Sequence, residues 1–241
     1  MRTNPSDCRS RDPDVARLVR VRFLQVGFTA LLQAVILFAA SGRLDWLAAW
    51  AYVGVYVGAV AVNASILLRR SPELIAERAQ VWAGAKGWDK VLSALASLFG
   101  PVLTLLVAGL DERFGWSPEP GLPIRLASLV CVALGYLLFG WAMASNPFFS
   151  GVVRIQEERG HSVATTGPYR YVRHPGYVAL AVYSVATAPL LGSLWALFPA
   201  GLMVGIVVVR TALEDRTLRA ELDGYRDYAE RVRYRLIPGL W

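Results

Sequence analysis

Two short stretches hold the side chains with the strongest chemical potential. The first is Gly167-Pro168-Tyr169-Arg170-Tyr171-Val172-Arg173-His174-Pro175-Gly176-Tyr177. Its Gly-Pro and His-Pro-Gly steps restrict the backbone, so helix is not expected before about Pro175. With Pro175 at the first helical position, free amides and a positive dipole end would lie beside His174, which suits an anion. The tyrosines can wall and hydrogen-bond a flat ring. An interfacial anchor loop facing lipid headgroups would use the same residue types. The second stretch is Arg210-Thr211-Ala212-Leu213-Glu214-Asp215, in which Arg210 and Glu214 share one helix face. That pair reads either as a snorkelling arginine with its acid or as a functional charge at a membrane boundary. A third cluster, Glu157-Glu158-Arg159-Gly160-His161, adds the other of the two histidines. With no further histidine and no cysteine at ligand spacing, no metal site is expected. Dinucleotide-binding, P-loop, serine-hydrolase and zinc-protease motifs are all missing.

The elements that must position these residues are apolar. Hydrophobic residues make up 55% of the 241-residue chain and charged residues 18%, below the roughly 25% of soluble domains. Apolar runs long enough to cross a bilayer recur. The expected fold is therefore all-α: a polytopic transmembrane helical bundle of about six spans. These lie at 21–40, 46–68, 91–110, 124–145, 176–191 and 194–211. Trp46 and Trp50 read as interfacial anchors. Asn63 reads as a helix–helix hydrogen-bonding residue. Pro101 reads as a potential kink. Ser71-Pro72-Glu73 reads as the capped start of an amphipathic segment over 70–90. The last part of the chain reads as a helix from about Glu214 to Val232. Residues 1–20 read as a polar N-terminal tail, 21–145 as a four-span region, and 146–241 as a catalytic core. No cleavable signal is expected, and a disulfide between Cys8 and Cys131 is not.

Net charge is +7. In this composition the basic residues flank spans, and no nucleic-acid module is visible, so nucleic acid is not an expected partner. With six spans, all of the 25 basic residues except Arg43, Arg113 and Arg125 fall on one side. The positive-inside rule then puts both termini, the 154–177 island and the C-terminal segment in the cytoplasm. The short apolar runs before and after Gly192-Ser193 form a hairpin, which should bring Arg173, His174 and Tyr177 beside Arg210 and Glu214.

Those residues carry a resemblance. The pattern Gly167-Pro168-Tyr169 with Arg173-His174-Pro175 and Tyr177, followed by Arg210, Glu214-Asp215, Leu218, Tyr225, Tyr228, Arg231-Val232 and Pro238, resembles the isoprenylcysteine carboxyl methyltransferases and the wider group that includes phospholipid methyltransferases. Two positions depart from the family's usual pattern: Asp215 replaces the second acid of a glutamate pair, and Arg233 stands where a proline is common. The resemblance implies S-adenosylmethionine as methyl donor, held in a cytoplasmic pocket closed by the C-terminal helices. It further implies that Gly167, Pro168, Tyr169, His174, Pro175, Tyr177 and Glu214 form the cofactor site. Arg173, Arg210 and Glu214 are the candidates for catalysis, with the arginines orienting a carboxylate.

The implied acceptor is a lipophilic small molecule or lipid that enters from the bilayer. A carboxylate nucleophile would need no base, whereas a thiol or amine would need Glu214 or His174. The implied location is a plasma membrane of bacterial inner type, with the site facing the cytoplasm. Two other readings use the same residues. Sterol-type membrane reductases carry a similar Arg-His-Pro triplet and use NADPH, and a non-catalytic lipid-binding membrane protein could keep such a pocket for assembly.

Overall fold

The protein is described from a computed structural model over residues 13–80 and 84–241. Eight helices organise the described residues: α1 Pro13–Ser41, α2 Leu47–Arg70, α3 Pro72–Ala79, α4 Gly87–Phe114, α5 Leu122–Ala144, α6 Pro175–Leu190, α7 Leu197–Glu221 and α8 Tyr225–Arg231. Single 3-10 turns lie at Glu157–Arg159 and Gly167–Arg170. Helices α1, α2, α4, α5 and α7 are long and apolar enough to cross a membrane, and α6 is a shorter apolar helix of 16 residues. The fold is a polytopic helical bundle, and the protein is an integral membrane protein. Large apolar side chains such as Leu24, Phe28, Leu31 and Val35 on α1 are exposed on its outside. Lipid can cover such a surface, because each helix satisfies its own backbone polar groups.

The closest seam is between α5 and α6. At Gly135 a Cβ would come within 2.8 Å of the Tyr183 Cβ, so only glycine lets these backbones approach so nearly. Tyr136 of α5 stacks on Tyr183 of α6 in the same seam, with ring centroids 4.5 Å apart. The main core lies toward the end of the bundle away from His174 and joins Leu37, Tyr52, Leu105, Val132 and Leu191. Asp111 staples that end. It accepts hydrogen bonds from the Ser117 amide (2.7 Å), the Ser117 hydroxyl (2.6 Å) and the Ser193 hydroxyl (2.5 Å), tying α4 to the α6–α7 turn.

The structure corrects several local expectations. Helix α1 starts at Pro13 rather than at 21, because the arginine-bearing turns around Arg17 and Arg20 extend the apolar span as helix. The expected tail up to residue 12, Cys8 included, lies outside the described residues; Cys131 is a free, exposed thiol. The amphipathic segment is only the two turns of α3, and α4 begins already at Gly87. Ser71 sits at the N-cap of α3, but its side chain makes no capping bond. Pro101 is accommodated by a π-helical stretch over Leu95–Phe99, which widens the helix just before it. Trp46 is buried in the main core instead of standing at an interface, while Trp50 is exposed and donates to the Leu44 carbonyl at 2.7 Å. No separate helix runs from Glu214 to Val232. Instead α7 continues unbroken to Glu221, and the chain turns at Gly224, whose φ of 76° favours glycine, before α8.

Candidate functional site

The α6–α7 hairpin sets the site. Its short turn at Gly192-Ser193 leaves the start of α6 and the middle of α7 side by side. Tyr177 donates a short hydrogen bond to Glu214 Oε2. His174 Nδ1 lies 4.0 Å from Glu214 Oε1. The Arg210 guanidinium sits 5.3 Å from the Tyr177 ring centre. The His174 and Tyr177 rings stack, 5.8 Å apart and 16° from parallel. These side chains are the wall of one cavity of about 420 Å³. Its polar end is lined by Tyr169, His174, Tyr177, Glu214, Tyr225 and Tyr228. Elsewhere the same cavity is lined mainly by apolar side chains of the spanning helices, among them Val26, Tyr56, Val60, Phe139 and Met143, with Arg22, Gln33 and Asn63 between them.

Both arginines expected to orient a ligand carboxylate are already held by aspartates of the chain. Arg173 bonds Asp215 through Nε (2.7 Å) and Nη2 (3.3 Å), and its Nη1 reaches the carbonyls of Val232 (2.7 Å) and Arg233 (2.8 Å). Asp215 also accepts from Tyr225 (3.0 Å), Arg219 (3.1 Å) and Arg235 (3.0 Å). This fully buried carboxylate therefore gathers α6, α7, α8 and the C-terminal strap into one knot. The backbone reinforces it, with the Arg173 and His174 amides donating to the carbonyls of Tyr234 and Arg235.

Arg210 does not pair with Glu214 on its own helix. Its Nε and Nη2 bond Asp89 of α4 at 2.6 and 3.1 Å, and Nη2 also reaches the Gly151 carbonyl at 2.7 Å. Asp89 in turn accepts from the Val153 amide (2.6 Å) and the Ser93 hydroxyl (3.0 Å). Such bidentate buried pairs fix geometry. Glu214 is thereby left for Tyr177 alone, and its Oε1 has no hydrogen bond among the described residues.

The Gly167–Pro175 loop works differently from its tyrosines. Gly167, Pro168 and Pro175 do not line the cavity; they shape the chain around it. Gly167 has φ 59°, and a Cβ there would collide with the Ser145 hydroxyl. Tyr169 is buried, with its hydroxyl accepting from Asn146 (3.3 Å) and its carbonyl accepting from the Tyr228 hydroxyl (2.8 Å). Burial pushes the phenols of Tyr169, Tyr225 and Tyr228 above their ordinary pKa, so they stay neutral hydroxyls. At the start of α6, Gly176 packs so closely against the Phe149 ring that a Cβ there would come within 2.9 Å of it.

His161 lines the same cavity. It accepts from the Gln156 amide through Nδ1 (3.3 Å) and lies 4.6 Å from the Phe148 ring. Burial, helped by Arg159 and Arg154, lowers its pKa. Asn63 forms no interhelical bond; its Oδ1 is buried without a partner among the described residues, at the cavity wall. Asp89 is the site residue that sequence reasoning passes over. A lone acid in a polar connection carries no motif, and its one sequence signal is an acid in the first turn of a helix.

With the geometry in view, comparison with known proteins adds a second line of support. Residues 127–220 match the model of the isoprenylcysteine carboxyl methyltransferase (ICMT) family. Over 67 residues the chain is 36% identical to "Protein-S-isoprenylcysteine O-methyltransferase" of Schizosaccharomyces pombe, covering 25% of this chain and 28% of that protein. Over 69 residues it is 33% identical to "Probable protein-S-isoprenylcysteine O-methyltransferase" of Oryza sativa, in both the indica and japonica subspecies, covering 28% of this chain and 36% of theirs. The chain therefore aligns with little more than a third, at most, of the length of these relatives. The matched segment contains α6, Arg173, Arg210 and Glu214, but neither Asp89 nor α3.

Proposed function

We propose that this chain, isoprenylcysteine carboxyl methyltransferase-like over residues 127–220, uses S-adenosylmethionine to methylate the carboxylate of an apolar-tailed acceptor, of the isoprenylcysteine class named for its relatives. The observation that carries the reading is the single cavity that joins a tyrosine-walled, Glu214-bearing end to a mainly apolar wall of the spanning helices. A polar donor and a lipophilic acceptor need that combination in one cavity.

The side chains at the polar end fit an adenosyl sulfonium ligand. Stacked His174 and Tyr177 offer flat faces to a ring. Electron-rich tyrosine faces suit a cationic sulfur. Glu214, with Oε1 unoccupied by the chain's own donors, can accept from hydroxyls or an ammonium group. S-adenosylmethionine, when bound, supplies a methyl group on a cationic sulfur, and its transfer to a carboxylate oxygen returns the C–S bond pair to sulfur and leaves two neutral products. The chain is then required to align the acceptor and to exclude water, and it needs no general base. That agrees with how its polar groups are used. His174 Nε2 is held 3.5 Å from Asp215 and 3.4 Å from the Tyr225 hydroxyl, an arrangement that fixes the orientation of the ring.

In this reading Arg173 and Arg210 are positioning residues. They fix the hairpin through Asp215 and Asp89, and residues 146–241 act as the catalytic part. The polar end faces the cytoplasm, following the bias of the basic residues. Membranes containing the protein, incubated with methyl-labelled S-adenosylmethionine and an isoprenylcysteine, should yield an organic-soluble product that releases labelled methanol in base. A purified protein that binds neither S-adenosylmethionine nor S-adenosylhomocysteine would overturn the proposal.

A further inference from the structure

Most cations around the cavity are neutralised by the chain itself. Arg210 has Asp89, Arg173 has Asp215, and Arg154 has Glu77 and Glu158. Arg78 of α3 differs. Its Nη1 is shut off from solvent and has no hydrogen-bond partner, and no ion pair to its guanidinium exists among the described residues. The neighbouring Glu77 is turned toward Arg154 (3.1 Å) and Ser150 (3.3 Å). Arg78 is packed on aromatic faces, with its guanidinium carbon 5.3 Å from the Phe149 ring centre and 6.0 Å from that of Phe139. Those faces offset only part of its lost hydration.

The other charges acting on Arg78 deepen the imbalance. Burial, Arg22 and Arg210 push its pKa down to about 10, against a smaller opposing effect of Glu77. It is therefore still a cation at neutral pH. Arg22 lines the same cavity from α1, and the element that carries it is fixed to α3 because Gln25 accepts from Arg22 (3.3 Å) and donates to the Ala79 carbonyl (3.1 Å). Arg78 thus stands on the wall of the cavity that Tyr183, Arg210 and Phe139 also line, with its guanidinium against the Phe149 and Phe139 rings. A guanidinium on a cavity wall with no acid bonded to it among the described residues can act as a carboxylate receptor.

We propose that Arg78, assisted by Arg22, seats the ionised carboxylate of the acceptor, with its apolar tail along the apolar wall of the same cavity. The identity of the acceptor rests on the methyltransferase reading; the anion subsite itself rests on the unpaired cation. Both arginines lie outside the 127–220 segment shared with the family. Selection of the acceptor is then a property of the N-terminal helices, and handling of the methyl donor a property of the C-terminal ones.

The test uses the full chain in nanodiscs of phosphatidylcholine and compares the binding of N-acetyl-S-farnesylcysteine with that of its carboxamide, which has the same tail and no charge. The unaltered protein should prefer the acid by about tenfold to a hundredfold, the range expected for a charge-assisted pair. Arg78→Gln should remove that preference while binding the amide within about twofold of the unaltered protein. Arg78→Lys should keep part of it, which separates charge from packing. An acid bound no better than its amide by the unaltered protein, or a preference that survives Arg78→Gln, overturns the inference. S-adenosylhomocysteine titrated into the same samples reads the other proposal separately. Its failure to bind sinks the methyltransferase reading, while the acid-to-amide ratio still decides the subsite.

Discussion

The two ends of the cavity treat buried charge in opposite ways. At the polar end, Arg173 and Arg210 are each locked by a fully buried aspartate and by backbone carbonyls. Elsewhere on the cavity wall, Arg78 has aromatic neighbours and no acid bonded to it among the described residues. Paired arginines hold a shape, because an acid of the chain already meets their charge. An unpaired one stores a demand for an anion. The difference separates arginines whose charge an acid of the chain meets from one whose charge no bonded acid meets among the described residues.

The largest expected break in that contrast is Asp215→Ala. It strands Arg173 in the interior and releases Arg219 and Arg235, so the detergent-solubilised protein should lose about 3–5 kcal/mol of stability, read as a sharp fall in melting temperature. A variant that melts like the unaltered protein would mean that the knot carries little of the fold. Next, Asp89→Ala should destabilise by about 3 kcal/mol for the same reason, whereas Arg78→Gln should leave the melting temperature level or raise it, since it deletes an uncompensated charge. If Arg78→Gln were as damaging as Asp89→Ala, Arg78 would belong with the structural arginines.

Smaller effects sharpen the polar end. Tyr177→Phe removes the donor to Glu214 and should weaken S-adenosylhomocysteine binding about fivefold to tenfold, equivalent to roughly 1 kcal/mol, with little change in melting. The smallest effect involves His161. Its pKa is lowered in the fold, so the unfolded chain binds the proton more readily. Its contribution to stability is present above the unfolded value of about 6.5 and is lost as pH falls through the folded one. His161→Gln should therefore lose slightly less melting temperature than the unaltered protein between pH 7 and pH 5; equal losses would remove His161 from the account.

Much of the architecture was legible because its signals are strong. Apolar runs mark the spans, and the tight step at Gly192-Ser193 marks the hairpin that joins His174 and Tyr177 to Glu214. Partner choice was not legible. The spacing of Arg210 and Glu214 suggests an internal pair, yet Asp89 arrives from α4 and wins, because a bidentate buried contact outcompetes a neighbour on the same helix that already serves Tyr177. The Glu214-Asp215 doublet hides two roles, one acid facing the cavity and the other turned into the protein. Trp46 looks interfacial because tryptophan at a span start usually is, and only its place in the main core, built by several helices, encloses it. Arg78 was unremarkable in a basic segment; its meaning comes from what fails to reach it.

One calorimetric titration tests the central division most directly. S-adenosylhomocysteine is titrated into the unaltered protein, Glu214→Gln and Arg78→Gln, all in nanodiscs. The account predicts saturable binding to the unaltered protein, at least about tenfold weaker binding to Glu214→Gln, and binding to Arg78→Gln within about twofold of the unaltered protein. No binding to the unaltered protein, or equal loss in the two variants, would contradict it.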